Sequence, residues 1–334
     1  MVASGVRVPY SRPVRILSGV QPSGRPHLGN YFGAIQQHIQ LQDLPDAEPF
    51  YFIADFHSMT TVQDPARLRE YVTDVAVDYL ALGLDPAKAT FFRQSDVPEV
   101  AELAWMLGCV TGMGLLERAH SYKDKVAKGI TPSVGLFYYP VLMAADILIY
   151  RSNLVPVGQD QVQHIEMTQD MAGHFNATYG EVFVRPEPRL SPTPKVPGTD
   201  GQKMSKSYGN AIEIQLEGKA LRKVVMSIVT DSKALEEPKD PDTCNVFALH
   251  RLVATEAESA DLARRYRAGG LGYGHAKQEL HEKIEAYFAP YRKRRAELLA
   301  NLDHVDAVLQ DGAARARVIA RATLADAKRA AGLR

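Results

Sequence analysis

The stretch VRILSGVQPSGRPHLGNYFGA, residues 14–34, runs from an apolar β-branched segment through a turn of glycine and proline into a helical pattern opening near Leu28. Such a strand, turn and helix form one half of a strand-helix-strand unit, and the chain repeats the pattern. VRILSG (14–19), PFYFIAD (49–55), ATFFRQS (89–95) and LVPV (154–157) read as strands, with a first helix from about Leu28 to Leu41. Asp64-Pro65 opens another helix, the acid as cap and the proline in the first turn. Leu68, Val72, Val75 and Tyr79 then recur every three or four residues and give that helix one apolar face. Further helices are expected over 97–110, from about Pro140 to Tyr150, and over 160–175. Residues 111–135 carry glycines and lysines without a period and read as a loop or partly ordered insertion. The fold class expected is therefore α/β, a doubly wound parallel sheet with crossover helices.

From about residue 217 the texture changes. Strand patterns stop and Ala, Leu, Glu, Lys and Arg dominate, so a helical second domain is expected, with a boundary near residue 210. A chain of 334 residues, 46% of them hydrophobic, is long enough for two cores. No segment approaches the roughly 18 uncharged apolar residues of a membrane helix. The opening MVASGVRVPYSRPVR has basic residues with no apolar run behind them, so neither export signal nor anchor is expected and the setting is cytoplasmic. Cys109 and Cys244 lack metal or redox spacing and are expected as two buried reduced thiols. Formal net charge is zero, yet residues 292–334 hold ten Lys or Arg against five Asp or Glu. A surplus of that kind attracts phosphate backbones or makes an ordinary solvated helix face.

Two short stretches carry the chemistry. At HLGN (27–30) a helix begins after a strand and turn, with unpaired N–H groups and a positive dipole end that suit phosphate. Gly29 leaves room for close approach, while His27 and Asn30 offer donors. GQKMSKSYGN (201–210) follows a proline-rich run and reads as a mobile loop. Its Lys203 and Lys206 are flexible cations able to reach phosphoryl oxygens, Ser205 and Ser207 add hydroxyls, and Gly201 and Gly209 permit movement. A loop that closes over a reacting nucleotide stabilises the transition state more than the ground state.

HLGN placed about 170 residues ahead of KMSKS resembles the paired signature of class I aminoacyl-tRNA synthetases. The stretches SGVQPSGRPHLGNYFGA, YPVLMAADILIY (139–150) and VPVGQDQVQHIEMTQDMAGHFN (155–176) are similar to the bacterial tryptophanyl-tRNA synthetases, and the likeness covers nearly the whole chain. The resemblance implies a Rossmann-like catalytic domain over 1–210 and an α-helical anticodon-binding domain over 211–305, with a final helix from about 306–334 able to pack back on the first. It implies ATP with Mg²⁺ as substrate, no protein-bound metal, L-tryptophan and tRNA(Trp) as partners, no membrane, a homodimer, and room for a further protein partner. Gln21, Pro22 and Ser23 would lie near the α-phosphate and ribose, Gly29 and Asn30 would bind ATP, and Gly158, Gln159 and Asp160 would hold adenine and ribose. Val196 and the loop residues Lys203, Met204, Ser205, Lys206 and Ser207 would complete the ATP site, joined by Lys125. Lys203, Lys206, His27 and Asn30 are the implied catalytic residues.

The resemblance assigns tryptophan to Asp146, Tyr139, Gln161, Met143, Leu17, Val155 and Val157, with His57 a supporting pocket residue and His164 structural. Indole offers one N–H donor and no acceptor, so its site needs a buried acceptor, and Asp146 matches that reader. A carboxylate in so apolar a run then needs partners of its own. A tyrosine-specific relative shares fold and both motifs and is the nearest rival. A nucleotidylyltransferase without tRNA and a non-enzymatic synthetase-like protein are further ones. The loop departs from many bacterial relatives, which follow KMSKS with an acid and proline where this chain has Tyr208-Gly209.

Overall fold

The computed structural model describes residues 14–119, 122–123, 132–190 and 196–334. Five parallel strands form one sheet in the order β3-β2-β1-β4-β5, where β1 is Val14–Val20, β2 Ala47–Ile53, β3 Thr90–Arg93, β4 Leu154–Val157 and β5 Glu187–Leu190. Strand order reverses between β1 and β4, which opens a crevice at the carboxyl ends of the central strands. Strands β2 and β3 are buried almost throughout, as expected of strands covered on both faces.

Helix α1 opens at Leu28–Asn30, passes through a π-helical turn at Tyr31–Ile35 and continues as Gln36–Leu41. Helix α2, Asp55–Ser58, follows β2, and α3, Pro65–Leu82, starts as expected, with the Asp64 carboxylate accepting from the N–H groups of Ala66 and Arg67. Helices α4 (Glu99–Gly108), α5 (Met113–Glu117), α6 (Val134–Ile149) and α7 (Val162–Tyr179) complete the first half.

Several expectations need correction. The loop expected over 111–135 contains α5 and the start of α6; Lys125 and residues 1–13 lie outside the described residues. Pro140 does not start α6 but sits inside it. The helix begins six residues earlier, where Ser133 Oγ accepts from Leu136 N–H, and surrounding packing holds the proline despite its missing donor. β5 was invisible because EPRL is short, mostly exposed and proline-bearing, an edge strand with no alternation to read. Cys109 is exposed at the end of α4; only Cys244 is buried.

The second half is helical: α8 Gly218–Met226, α9 Asn245–Val253, α10 Glu256–Ala268, α11 Tyr273–Leu299 and α12 Leu302–Ala330. The apolar faces of α8 to α11 share a core with Leu28 and Phe32 of α1, so the start of α1 belongs to both halves, whereas α12 buries its apolar face in the cores of the sheet domain. Much of the C-terminal basic surplus is spent inside the protein. Arg295 binds Asp74 and the buried Asp78 on α3, Arg317 and Arg321 converge on Glu99, and Lys328 meets Glu102. These pairs pin α11 and α12 to the sheet domain, which disfavours reading the whole run as a nucleic-acid face.

Helix α12 crosses β3 so closely that a Cβ on Gly312 would stand 1.9 Å from the Phe91 carbonyl oxygen. Backbone cannot yield as a side-chain tip does. Gly312→Ala is expected to lower the unfolding free energy by about 3 kcal/mol, the upper range for overpacking a core, read as a lower urea midpoint with unchanged slope.

Candidate active site

The carboxyl ends of β1, β2, β3 and β4 deliver Gln21, Asp55, Gln94 and Gly158 to one edge of the sheet. Beside them lies a cavity of about 550 Å³. Of the residues assigned in advance, Leu17, Gln21, Asn30, His57, Tyr139, Met143, Asp146, Val155, Val157, Gly158 and Gln161 line it together. Gln159 and Asp160 lie in the 3₁₀ turn Gln159–Gln161 that leads from β4 into α7.

Asp146, only 2% exposed on α6, borders the cavity with both carboxylate oxygens hydrogen-bonded. Gln94 Nε2 donates to Oδ1 at 2.8 Å and Oδ2 at 2.9 Å, and His57 Nε2 lies 2.9 Å from Oδ2. Burial holds the Asp146 carboxyl above the usual range, opposed in part by the His57 and Gln94 contacts. His57 is thus held by Asp146. Tyr139 Oη meets His164 Nε2 at 2.9 Å.

The other end of the site is built by two segments distant in sequence. His27 caps α1: its Nδ1 accepts from Asn30 N–H at 3.2 Å, and Asn30 Oδ1 accepts from His27 N–H at 3.1 Å. Burial, then the nearby Lys206 charge, lowers the His27 pKa to about 4, so the ring is neutral near pH 7. With Nδ1 accepting, the proton belongs on Nε2, which leaves His27 one outward donor; Asn30 keeps its amide N–H groups. The cap therefore selects which donors of His27 and Asn30 remain unused by the helix start.

The lysine loop docks on this helix start. Gly29 N–H points at Met204 Sδ at 3.4 Å, and Lys206 Nζ donates to the Ser23 carbonyl at 3.2 Å. Just beyond the loop, Leu28 N–H donates to Ile212 O and Ile214 N–H to Pro26 O. A Cβ at Gly29 would press on the His27 ring at 3.0 Å and on Met204 at 3.4 Å, so that glycine also serves the protein's own packing. Lys206 is exposed as a residue while its ammonium abuts the Ser23 carbonyl, and desolvation there lowers its pKa against the opposing pull of Glu213, Asp78 and Asp74. Lys203 is exposed. Ser205 and Ser207 bond each other through their hydroxyls at 2.8 Å. Val196 is buried with Met204 and its carbonyl accepts Met204 N–H; Pro22 O accepts from Ser58 Oγ.

Sequence reading missed two residues here. Asn210, 2% exposed, organises the loop: Oδ1 accepts Ser205 N–H at 2.7 Å while Nδ2 donates to Asp200 at 2.7 Å and to Lys203 O at 3.2 Å. Gln94 is the other, and its signal was a polar residue at the carboxyl end of an apolar strand, in FFRQS.

A parallel sheet with a switch point, a capped helix start, and a lysine loop docked on it define a class I aminoacyl-tRNA synthetase. The pattern described as "tRNA synthetases class I (W and Y)" matches residues 10–289, and the chain belongs to that family. Its relatives specify the branch. The chain is 56% identical over 322 residues to the tryptophan–tRNA ligase of Rhodopirellula baltica, covering 96% of this chain and all of that one. It is 53% identical to that of Fusobacterium nucleatum, covering 96% and 98%. The crystal structure of Campylobacter jejuni tryptophanyl-tRNA synthetase complexed with ADP and tryptophan superposes with a TM-score of 0.91 at 49% identity, covering 96% and 100%.

Proposed function

We infer that this chain activates L-tryptophan with ATP and passes it to the terminal ribose of tRNA(Trp). The observation that carries the reading is the buried Asp146 acceptor in the same cavity as Asn30, at the helix start on which the lysine loop is docked. Indole N–H matches the first, and the triphosphate matches the second.

In the first step a carboxylate oxygen of tryptophan attacks the α-phosphorus of ATP, the bond to the bridging oxygen breaks, and pyrophosphate leaves. The substrate is its own nucleophile, so the protein supplies position and charge. Leu17, Met143, Val155 and Val157 enclose the indole, Asp146 accepts its N–H, and Tyr139 and Gln161 hold the amino-acid head. Gln21, Pro22 and Ser23 stand by the α-phosphate and ribose, Gly158, Gln159 and Asp160 by the adenosine. His27 Nε2–H, the Asn30 amide, Gly29, Val196 and the loop from Lys203 to Ser207 cradle the phosphates; Lys125, which the resemblance adds to this set, lies outside the described residues. Mg²⁺ enters as part of the substrate, on the ATP oxygens. In the second step a ribose hydroxyl of the tRNA attacks the adenylate carbonyl carbon and AMP leaves.

The catalytic unit is proposed to span residues 1–210, with the final helix from about 306–334 packed upon it and 211–305 as the tRNA-reading unit. Exposed Trp105, Met113 and Val134, on three helices packed together, favour a homodimer. Among the described residues no helix is long and apolar enough to cross a membrane; ATP and tRNA as substrates favour a cytoplasmic setting. The test is ATP–pyrophosphate exchange with each of the twenty amino acids, followed by charging of tRNA(Trp). Tryptophan alone is expected to support exchange; exchange with tyrosine only, or with none, overturns the reading.

A further inference from the structure

We propose that Gln94 is a specificity-determining positioning residue, which orients the Asp146 carboxylate so that one face of Oδ1 stays open to a ring N–H donor. This rests on the tryptophan reading above and deepens it.

Gln94 is 1% exposed and lies in the 3₁₀ turn at the end of β3. Its amide cannot turn over without loss. Oε1 accepts Phe56 N–H at 3.2 Å while Nε2 faces Asp146, so a flip would set a carbonyl oxygen against the carboxylate and an NH₂ group against an N–H. Asp55 fixes the same junction, accepting Phe56 N–H and Ser95 N–H, each at 3.0 Å. The ends of β2 and β3 are thereby locked behind Asp146.

The contacts on Asp146 are unequal. Oδ2 meets both His57 and Gln94, whereas among the described residues Oδ1 accepts from Gln94 alone. Each carboxylate oxygen accepts about two hydrogen bonds. The free direction is on Oδ1, and Asp146 borders the cavity. A merely apolar neighbour would leave this buried carboxyl easier to protonate, and a protonated acid offers a donor where indole needs an acceptor. A lysine or arginine would satisfy the charge but neutralise it. A primary amide steadies the anion, leaves its charge in place and does not titrate itself.

The role separates from simple packing by its dependence on the ring N–H. Initial rates of pyrophosphate exchange are to be compared for tryptophan and for 3-(1-benzothiophen-3-yl)-L-alanine, where sulfur replaces that N–H. In Gln94→Met, close to Gln in length and volume, kcat/KM for tryptophan should fall about 10- to 100-fold, the range for a lost hydrogen bond to a charged group, with the benzothiophene substrate changing less than about threefold. Gln94→Glu, which keeps size and polarity should the methionine variant not fold, should show the same collapse of preference. Equal losses on both substrates, or a preference within about twofold of wild type, overturn the inference. Failure of the wild-type chain to use tryptophan is a separate result, seen before any variant, and removes the function itself.

Discussion

Lys206→Ala is expected to slow adenylate formation by about 10²- to 10³-fold, the cost of removing one preorganised donor from a transition-state charge, while KM for tryptophan stays nearly constant. Lys206 donates to the Ser23 carbonyl, beside the capped start of α1. A backbone carbonyl is a weak partner for an ammonium. Pyrophosphate developing charge in the same place is a stronger one, so the contact is exchanged as the reaction proceeds and its gain falls on the transition state. Single-turnover formation of tryptophanyl-adenylate reads this directly, and transfer from preformed adenylate to tRNA should be little changed. A variant that only raises the ATP KM and keeps its rate would show uniform binding instead, and the account of the loop would fail.

Asp146→Ala is expected to lower kcat/KM for tryptophan by about 10³-fold and to erase most of the preference over phenylalanine. The substitution removes the acceptor for indole N–H and also leaves the buried Gln94 amide and His57 ring without their partner. Phenylalanine brings no N–H, so in the wild-type chain it leaves Asp146 unsatisfied, a penalty of about 1–3 kcal/mol or more for a charged group. Competitive exchange assays with the two amino acids measure the ratio. Selectivity equal to wild type would refute Asp146 as the reader of the ring.

How much of this was legible beforehand follows from the range of each signal. Capping by Asp64 and the run of buried strands are local chemistry, written within a few residues, and both are found as read. Pro140 misled because a local rule about proline was applied where tertiary packing overrides it. β5 escaped because an exposed edge strand leaves no alternation. Lys203 and Lys206 were visible as a pair; Asn210, which ties Asp200, Lys203 and Ser205 together, looks like any loop asparagine until the chain folds around it.

Sequence by itself determined the parallel α/β sheet, the helix start at Leu28 and the paired lysines of the loop, since each is set by residue type and short spacing; the acceptor role of Asp146 was implied by the likeness to the synthetases. Only the tertiary structure decided that Met204 sits on Gly29, that Asn30 and His27 cap each other, and that Gln94 arrives from β3 to face Asp146 on α6. Those contacts join residues far apart in the chain or depend on the direction of a side chain, and packing alone sets both.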